Sequence, residues 1–131
     1  MQPRIRNLQA GFTLLELIIV VLVVTILAAI AMSGYGYAMI KTRRAAAEGC
    51  LTETAQVMER WYTTHMTYTG AVLPTCSADV SKYYTVGYAS GEPTATTYKF
   101  EAIPQGPQAK DSCGTISLDS VARKLPATNC W

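Results

Sequence analysis

The stretch Gly11–Met32, GFTLLELIIVVLVVTILAAIAM, decides how the rest of the chain is read. From Phe12 to Met32 it is an almost unbroken apolar run of 21 residues, interrupted by Thr13, Glu16 and Thr25. As an α-helix this run reaches about 30 Å, the thickness of a bilayer's hydrocarbon core. Leu, Ile and Val surround every face, so periodicity picks out no preferred side. Glu16 is the anomaly, because a carboxylate is costly in hydrocarbon.

On one side of this run lies Met1–Ala10, which is polar, holds Arg4 and Arg6, and has no acid. On the other side come Ser33-Gly34-Tyr35-Gly36. Each glycine weakens a helix by roughly 1 kcal/mol relative to alanine. A kink or a looser turn is expected there, without a full stop. The helical pattern then resumes. Cys50, Thr54, Val57, Met58 and Trp61 recur at helical spacing, while Arg44, Glu48, Gln56, Glu59 and Arg60 fall mainly on other faces. That pattern predicts an amphipathic helix through about Tyr62, with the Met and Trp stripe as core. Lys41, Arg43 and Arg44 read as a solvated face, or as contacts to lipid head groups or a neighbouring chain. Their place after the span runs against the positive-inside tendency.

The remainder changes character. Lys82–Tyr88 is rich in aromatic and β-branched residues and predicts a strand. Ser90-Gly91-Glu92-Pro93 is turn chemistry. Thr96–Ile103 predicts a second strand with Tyr98, Phe100 and Ala102 on one face, ended by Pro104 and Gly106-Pro107. Gly114–Leu118 predicts a third, and Lys124-Leu125 a very short fourth. The fold class is therefore α+β, a long N-terminal helix with a small antiparallel sheet.

With 131 residues, half of them apolar, the chain suits one small domain plus one membrane-scale segment. The formal charge is +2, and without Arg4 and Arg6 the nine other basic residues equal the nine acids. This neutrality argues against a general nucleic-acid binder and leaves nucleic acid open as a partner. Lys99, Lys110, Arg123 and Lys124 are candidates for a modest basic patch, and the tyrosines of the strands are candidates for stacking or, more simply, for packing.

Cys50, Cys76, Cys113 and Cys130 show no C-x-x-C spacing, and the single histidine is His65. This argues against zinc and against thiol redox catalysis. An even number of cysteines after a membrane-directed segment favours two disulfides in an oxidising compartment, with three pairings open. No catalytic constellation, metal site or phosphate loop stands out, so neither an enzyme nor a cofactor is expected.

The apolar run has three readings. A cleavable secretory signal has its site at Ala29-Ile30-Ala31, but the run is long for one and contains Glu16. A plain single-pass anchor explains the length and leaves Glu16 as a penalty. The third reading rests on Gly11-Phe12-Thr13-Leu14-Leu15-Glu16-Leu17, behind a basic leader and before the apolar run. This motif closely resembles the N-terminus of type IV prepilins. The resemblance implies that prepilin peptidase cuts between Gly11 and Phe12, and that the new Phe12 amine is methylated. Phe12 and Glu16, at i and i+4, share a helix face. The amine of a neighbouring subunit's first residue would neutralise Glu16 only in the correct fibre register, so the charge would act on register more than on stability.

Further patches resemble PilE-like minor pilins: Glu48–Gln56, Glu59–Tyr62, Tyr83-Tyr84, Ala102-Ile103-Pro104, Asp111, Cys113-Gly114-Thr115 and Cys130-Trp131. That resemblance implies a Cys113–Cys130 bridge closing a C-terminal loop, the D-region, and a Cys50–Cys76 bridge tying the helix to the loop before the sheet. The implied organisation is a leader at 1–11, a membrane or fibre-core helix at 12–32, its amphipathic continuation at 33–62 and a globular head at 63–131. The implied partners are major and minor pilins, prepilin peptidase and the pilus assembly machinery of the inner membrane. The head would wait in the periplasm of a Gram-negative bacterium before joining an extracellular pilus. Initiating assembly, twitching motility, adhesion and DNA uptake are the implied roles. Major pilin and type II secretion pseudopilin are the rivals within the family, and a secreted or anchored binding module is the rival outside it.

Two positions depart from the family pattern. Ser33 stands where most type IV pilins carry a proline associated with helix melting in the fibre. Val121-Ala122-Arg123 stands where many carry a glycine in the last hairpin.

Overall fold

A computed structural model describes residues 11–131, so Arg4 and Arg6 of the basic leader lie outside the described residues. The chain divides into two compact units, one ending at Gly36 and the other running Tyr37–Trp131.

One helix, α1, is assigned without a break over Leu14–His65. It continues through Ser33–Gly36, where the Ser33 hydroxyl donates to the Ile30 carbonyl at 3.0 Å. It ends three residues beyond the expected Tyr62. Met66, at φ 55°, then takes the left-handed conformation that closes many helices, and its N–H reaches the Tyr62 carbonyl at 2.8 Å.

The half of α1 in the second unit is amphipathic. Ala47, Leu51, Thr54 and Met58 are buried, at helical spacing, while Cys50, Val57 and Trp61 are half-buried. Ala47, Leu51 and Met58 pack into one cluster with Tyr84, Tyr98, Phe100, Ala102, Ile116 and Leu118, with Cys50 against it, while Trp61, expected in the core stripe, stands outside that cluster. Arg44 departs from expectation. It is buried on this face instead of solvated, and its partner is described below.

After α1 comes a short helix, α2, at Ala78–Tyr83. The strand expected to begin at Lys82 starts instead at Tyr84. Ser77 explains the difference, since its side chain accepts the Val80 N–H at 3.4 Å and caps the helix. Asp79 adds an acid in the first turn, where the helix dipole favours it. A capping serine followed by an acid was the available signal.

Four strands follow: β1 Tyr84–Tyr88, β2 Lys99–Pro104, β3 Ile116–Asp119 and β4 Lys124–Leu125. They form an antiparallel sheet in the order β1-β2-β3-β4. In β2, Phe100 and Ala102 alternate inward, as the pattern predicted. Between β1 and β2, Gly91 supplies the positive φ (84°) of the turn. Between β2 and β3, Pro107 opens a 3-10 turn, η1, at Gly106–Lys110. Pro104 thus ends the strand and Pro107 starts the turn.

The β3–β4 hairpin contains Ala122 at φ 58°. This is the segment where the family often has glycine, and a left-handed conformation is the physical reason for one. Asp119 holds the turn instead. Its Oδ1 accepts the Arg123 N–H at 2.8 Å and the Val121 N–H at 3.1 Å.

Two disulfides tie the head. Cys50 on α1 joins Cys76 in the loop before α2, with Cα atoms 5.8 Å apart. Cys113 joins Cys130 and closes the C-terminal loop, with Cα atoms 5.7 Å apart.

Candidate functional site

In the first unit, Thr13 sits just before α1 and caps it. Its carbonyl accepts the Leu17 N–H at 3.2 Å, and its Oγ1 accepts the Glu16 N–H, also at 3.2 Å. Glu16 is therefore the third residue of the helix, in the Thr-x-x-Glu spacing of a capping box. As part of an apolar run Thr13 is only an interruption; that spacing is the signal that reveals its role. Glu16 also lies in the first turn, where the helix dipole favours a negative charge. Gly11 and Phe12 precede the cap, and Phe12 is 82% exposed.

Every residue from Gly11 to Ala38 is exposed. The apolar part of α1 has a mean hydropathy of 3.1 over its most apolar window, none of it buried. An apolar surface on this scale requires lipid or other protein chains around it.

In the second unit, a buried polar cluster joins α1 to the segment after η1. Arg44 Nη1 donates to Asp111 Oδ1 at 2.8 Å, and the Asp111 side chain is 1% exposed. Arg44 Nη1 also meets Cys113 Sγ. Asp111 Oδ1 accepts the Cys113 N–H at 3.0 Å. Asp111 Oδ2 accepts from Tyr84 Oη at 3.0 Å and from Gln108 Nε2 at 3.2 Å. Gln108 Nε2 further donates to the Ile40 carbonyl at 2.9 Å. A buried ion pair is tolerated when its remaining lone pairs are satisfied in this way. Burial, opposed by the Gln108 hydrogen bond and aided by Asp111, pushes the Tyr84 hydroxyl up to about 12. The cluster fixes the disulfide-closed loop against the helix.

A second polar group sits at the other end of the sheet. Glu59 accepts from Tyr98 Oη at 2.9 Å and Tyr68 Oη at 3.1 Å. Burial, then the Glu59 hydrogen bond, raise both hydroxyls above the usual tyrosine range. These tyrosines serve packing, not stacking on a ligand.

The exposed cations are distributed unevenly. Lys41 and Tyr37 line a groove of about 480 Å³ with Asn129 and Trp131. Lys124 Nζ lies 4.9 Å from the centre of the Trp131 ring. Arg123 is next along the chain and approaches Asp119 at 3.7 Å, and Asp119 faces Lys99 across β2–β3. Lys41 and Lys124 thus both lie near Trp131, with Arg123 next along the chain, while Lys99 is half-buried and pairs with Glu101 at 3.4 Å. Of the four residues expected as a patch, Lys110 also stands apart, because η1 follows the far end of β2. Lys41 was missed, since only the fold brings α1 beside the C-terminal loop.

Arg43 and Lys82 form a separate pair. The Arg43 guanidinium carbon stands 3.8 Å over the centre of the Tyr83 ring, and Lys82 Nζ lies 5.5 Å from it. His65 stacks on Trp61 at the exposed end of α1. Among the described residues, no group of three or more His, Cys, Asp or Glu side chains is placed to hold a metal ion.

Comparison with known proteins decides the family. A family model described as "Type IV minor pilin ComP, DNA uptake sequence receptor" matches residues 33–117. The chain belongs to this family of type IV minor pilins. A second model, the prokaryotic N-terminal methylation motif, matches residues 6–32. Among solved structures, a type IV pilin from Shewanella oneidensis is 33% identical, covering 70% of this chain and 97% of that one, with a TM-score of 0.59. The non-core minor pilin PilV of Neisseria meningitidis shares the fold at 19% identity, covering 66% of this chain and 84% of that one, with a TM-score of 0.54. No curated protein sequence matches.

A minor pilin is a structural subunit, and its apolar helix serves first as a membrane anchor and then in the fibre. The major pilin, pseudopilin and secreted-module readings are not favoured. The exposed apolar surface of α1 is what such a subunit buries against other pilins.

Proposed function

We propose that this minor pilin is cut between Gly11 and Phe12 by prepilin peptidase and methylated at the Phe12 amine. It waits in the inner membrane through residues 12–32, with its head in the periplasm. The assembly machinery then draws it into an extracellular pilus. In the fibre, the amine at Phe12 of a neighbouring subunit, or its equivalent, neutralises Glu16. Thr13 supports this role, because its cap holds Glu16 in the first helical turn. Replacement of Glu16 by alanine is expected to reduce incorporation into sheared pili; incorporation at the wild-type level contradicts the role.

We further propose that the head contacts DNA, in keeping with the family's description. The observation that carries this is the placing of Lys41 and Lys124 near the Trp131 ring, with Arg123 next along the chain. Cations beside an aromatic ring suit a phosphate backbone. The test is fluorescence anisotropy with double-stranded DNA, using the full chain in detergent at several salt concentrations. Lys124→Gln and Lys41→Gln are each expected to weaken binding and to flatten the salt dependence by about one unit for each phosphate no longer neutralised. Unchanged affinity and slope contradict the assignment.

A further inference from the structure

Arg43 and Lys82 stand over the Tyr83 ring from different elements, α1 and α2. No carboxylate lies within ion-pair distance of either cation among the described residues. Lys82 is exposed, and Arg43 and Tyr83 are half-exposed. Two like charges held on one ring without an acid repel each other, and an external anion relieves that repulsion. The cluster differs from the cations near Trp131, because Arg43 turns to α2 while Lys41 lines the groove beside the C-terminal loop.

Position along the chain narrows the choice of anion. Arg43 follows Met32, the last residue of the apolar run, by eleven residues. Whatever path the chain takes, eleven residues span at most about 40 Å. While the span is in a bilayer, the cluster is therefore tethered near a dense field of phosphodiesters. Tyr35 and Tyr37, both exposed, occupy the segment between, where amphipathic rings favour the lipid–water boundary. The pair is small for a duplex, which presents a line of phosphates, and suited to one head group.

We propose that Arg43, Lys82 and Tyr83 form a binding site for the phosphodiester head group of an anionic phospholipid, occupied while the pilin is held in the membrane. The two cations bind the phosphate, and the ring fixes the guanidinium. Extraction into the fibre vacates the site, so occupancy favours the membrane-held state. The site rests on the membrane-anchored state but not on the DNA reading.

The test is native mass spectrometry of the full chain released from micelles containing equal amounts of phosphatidylglycerol and phosphatidylcholine. The wild type is expected to retain phosphatidylglycerol preferentially. In Arg43→Gln/Lys82→Gln that preference falls by about fivefold for each cation removed. Arg43→Lys/Lys82→Arg, which conserves charge, keeps most of it. Arg4 and Arg6 are common to all three proteins and cancel in the comparison. An unchanged preference in the Gln variant overturns the site, whether or not DNA binding falls. An equal fall in the charge-conserving variant overturns it too, since it shows that shape and not charge is read. DNA anisotropy on the Gln variant is expected to match the wild type; a drop there with lipid preference intact assigns the cluster to DNA. Failure of the chain to enter the lipid micelles at all tells instead against the anchored state.

Discussion

Arg44 and Asp111, 67 residues apart in sequence, meet at 2.8 Å as a buried ion pair between α1 and the start of the C-terminal loop. Asp111 is further held by Tyr84, Gln108 and the Cys113 N–H. Removing one member leaves the other charge buried and unpaired. Asp111→Ala and Arg44→Ala are each expected to destabilise the head by about 3–5 kcal/mol. Replacing both by apolar residues of similar volume should cost less than either single change. Denaturant unfolding of the full chain in detergent, followed by near-UV circular dichroism, gives the comparison.

The Cys50–Cys76 bridge closes a loop with a sequence separation of 26 residues, from α1 to the segment before α2. Its chief effect is on the unfolded chain. Cys50→Ser/Cys76→Ser is expected to lose about 2–4 kcal/mol. The same unfolding measurement checks it, and an effect below 1 kcal/mol, roughly the scale of a typical point change, counts against the staple.

Ala122 occupies a left-handed conformation at φ 58° in the β3–β4 turn. Ala122→Gly is expected to raise stability by about 1 kcal/mol, the strain relieved less the added freedom of the unfolded chain. A lower unfolding midpoint contradicts this reading of the departure from the family pattern.

The same head should weaken in alkali. Burial raises the hydroxyl of Tyr84 from 10 to about 12 and moves those of Tyr68, Tyr88 and Tyr98 in the same direction. A folded-state value above the unfolded one means that the folded head holds its protons longer. The contribution is present in full below about pH 10, the unfolded value, and is lost as pH rises through the folded values. Unfolding midpoints should stay level up to pH 10 and fall above it. Tyr84→Phe should lessen the fall.

Much of this was legible in the sequence, for physical reasons that differ by element. The apolar run shows in its length and composition, and Thr54 and Met58 of the buried face of α1 show in their helical spacing. Phe100 and Ala102 alternate as an edge-on reading of β2 requires. Arg44 was not legible, because a charge at helical spacing reads as solvated unless its partner is known, and Asp111 becomes its neighbour only through the fold. Lys82 and Tyr83 read as strand by residue type, yet the Ser77 cap makes them helix. The cations near Trp131 were half legible: Arg123 and Lys124 adjoin in sequence, whereas Lys41 joins them only through the C-terminal loop and Lys99 pairs instead with Glu101. The role of Thr13 was legible and hidden by its setting among apolar residues.

All of the assembly account depends on where the mature chain begins. Chain recovered from sheared pili can be sequenced from its N-terminus and weighed by mass spectrometry. The account predicts a start at N-methylated Phe12, with Glu16 retained in the first turn of α1. A start at Met32, after cleavage at Ala29-Ile30-Ala31, removes Glu16 and the apolar helix together and contradicts it.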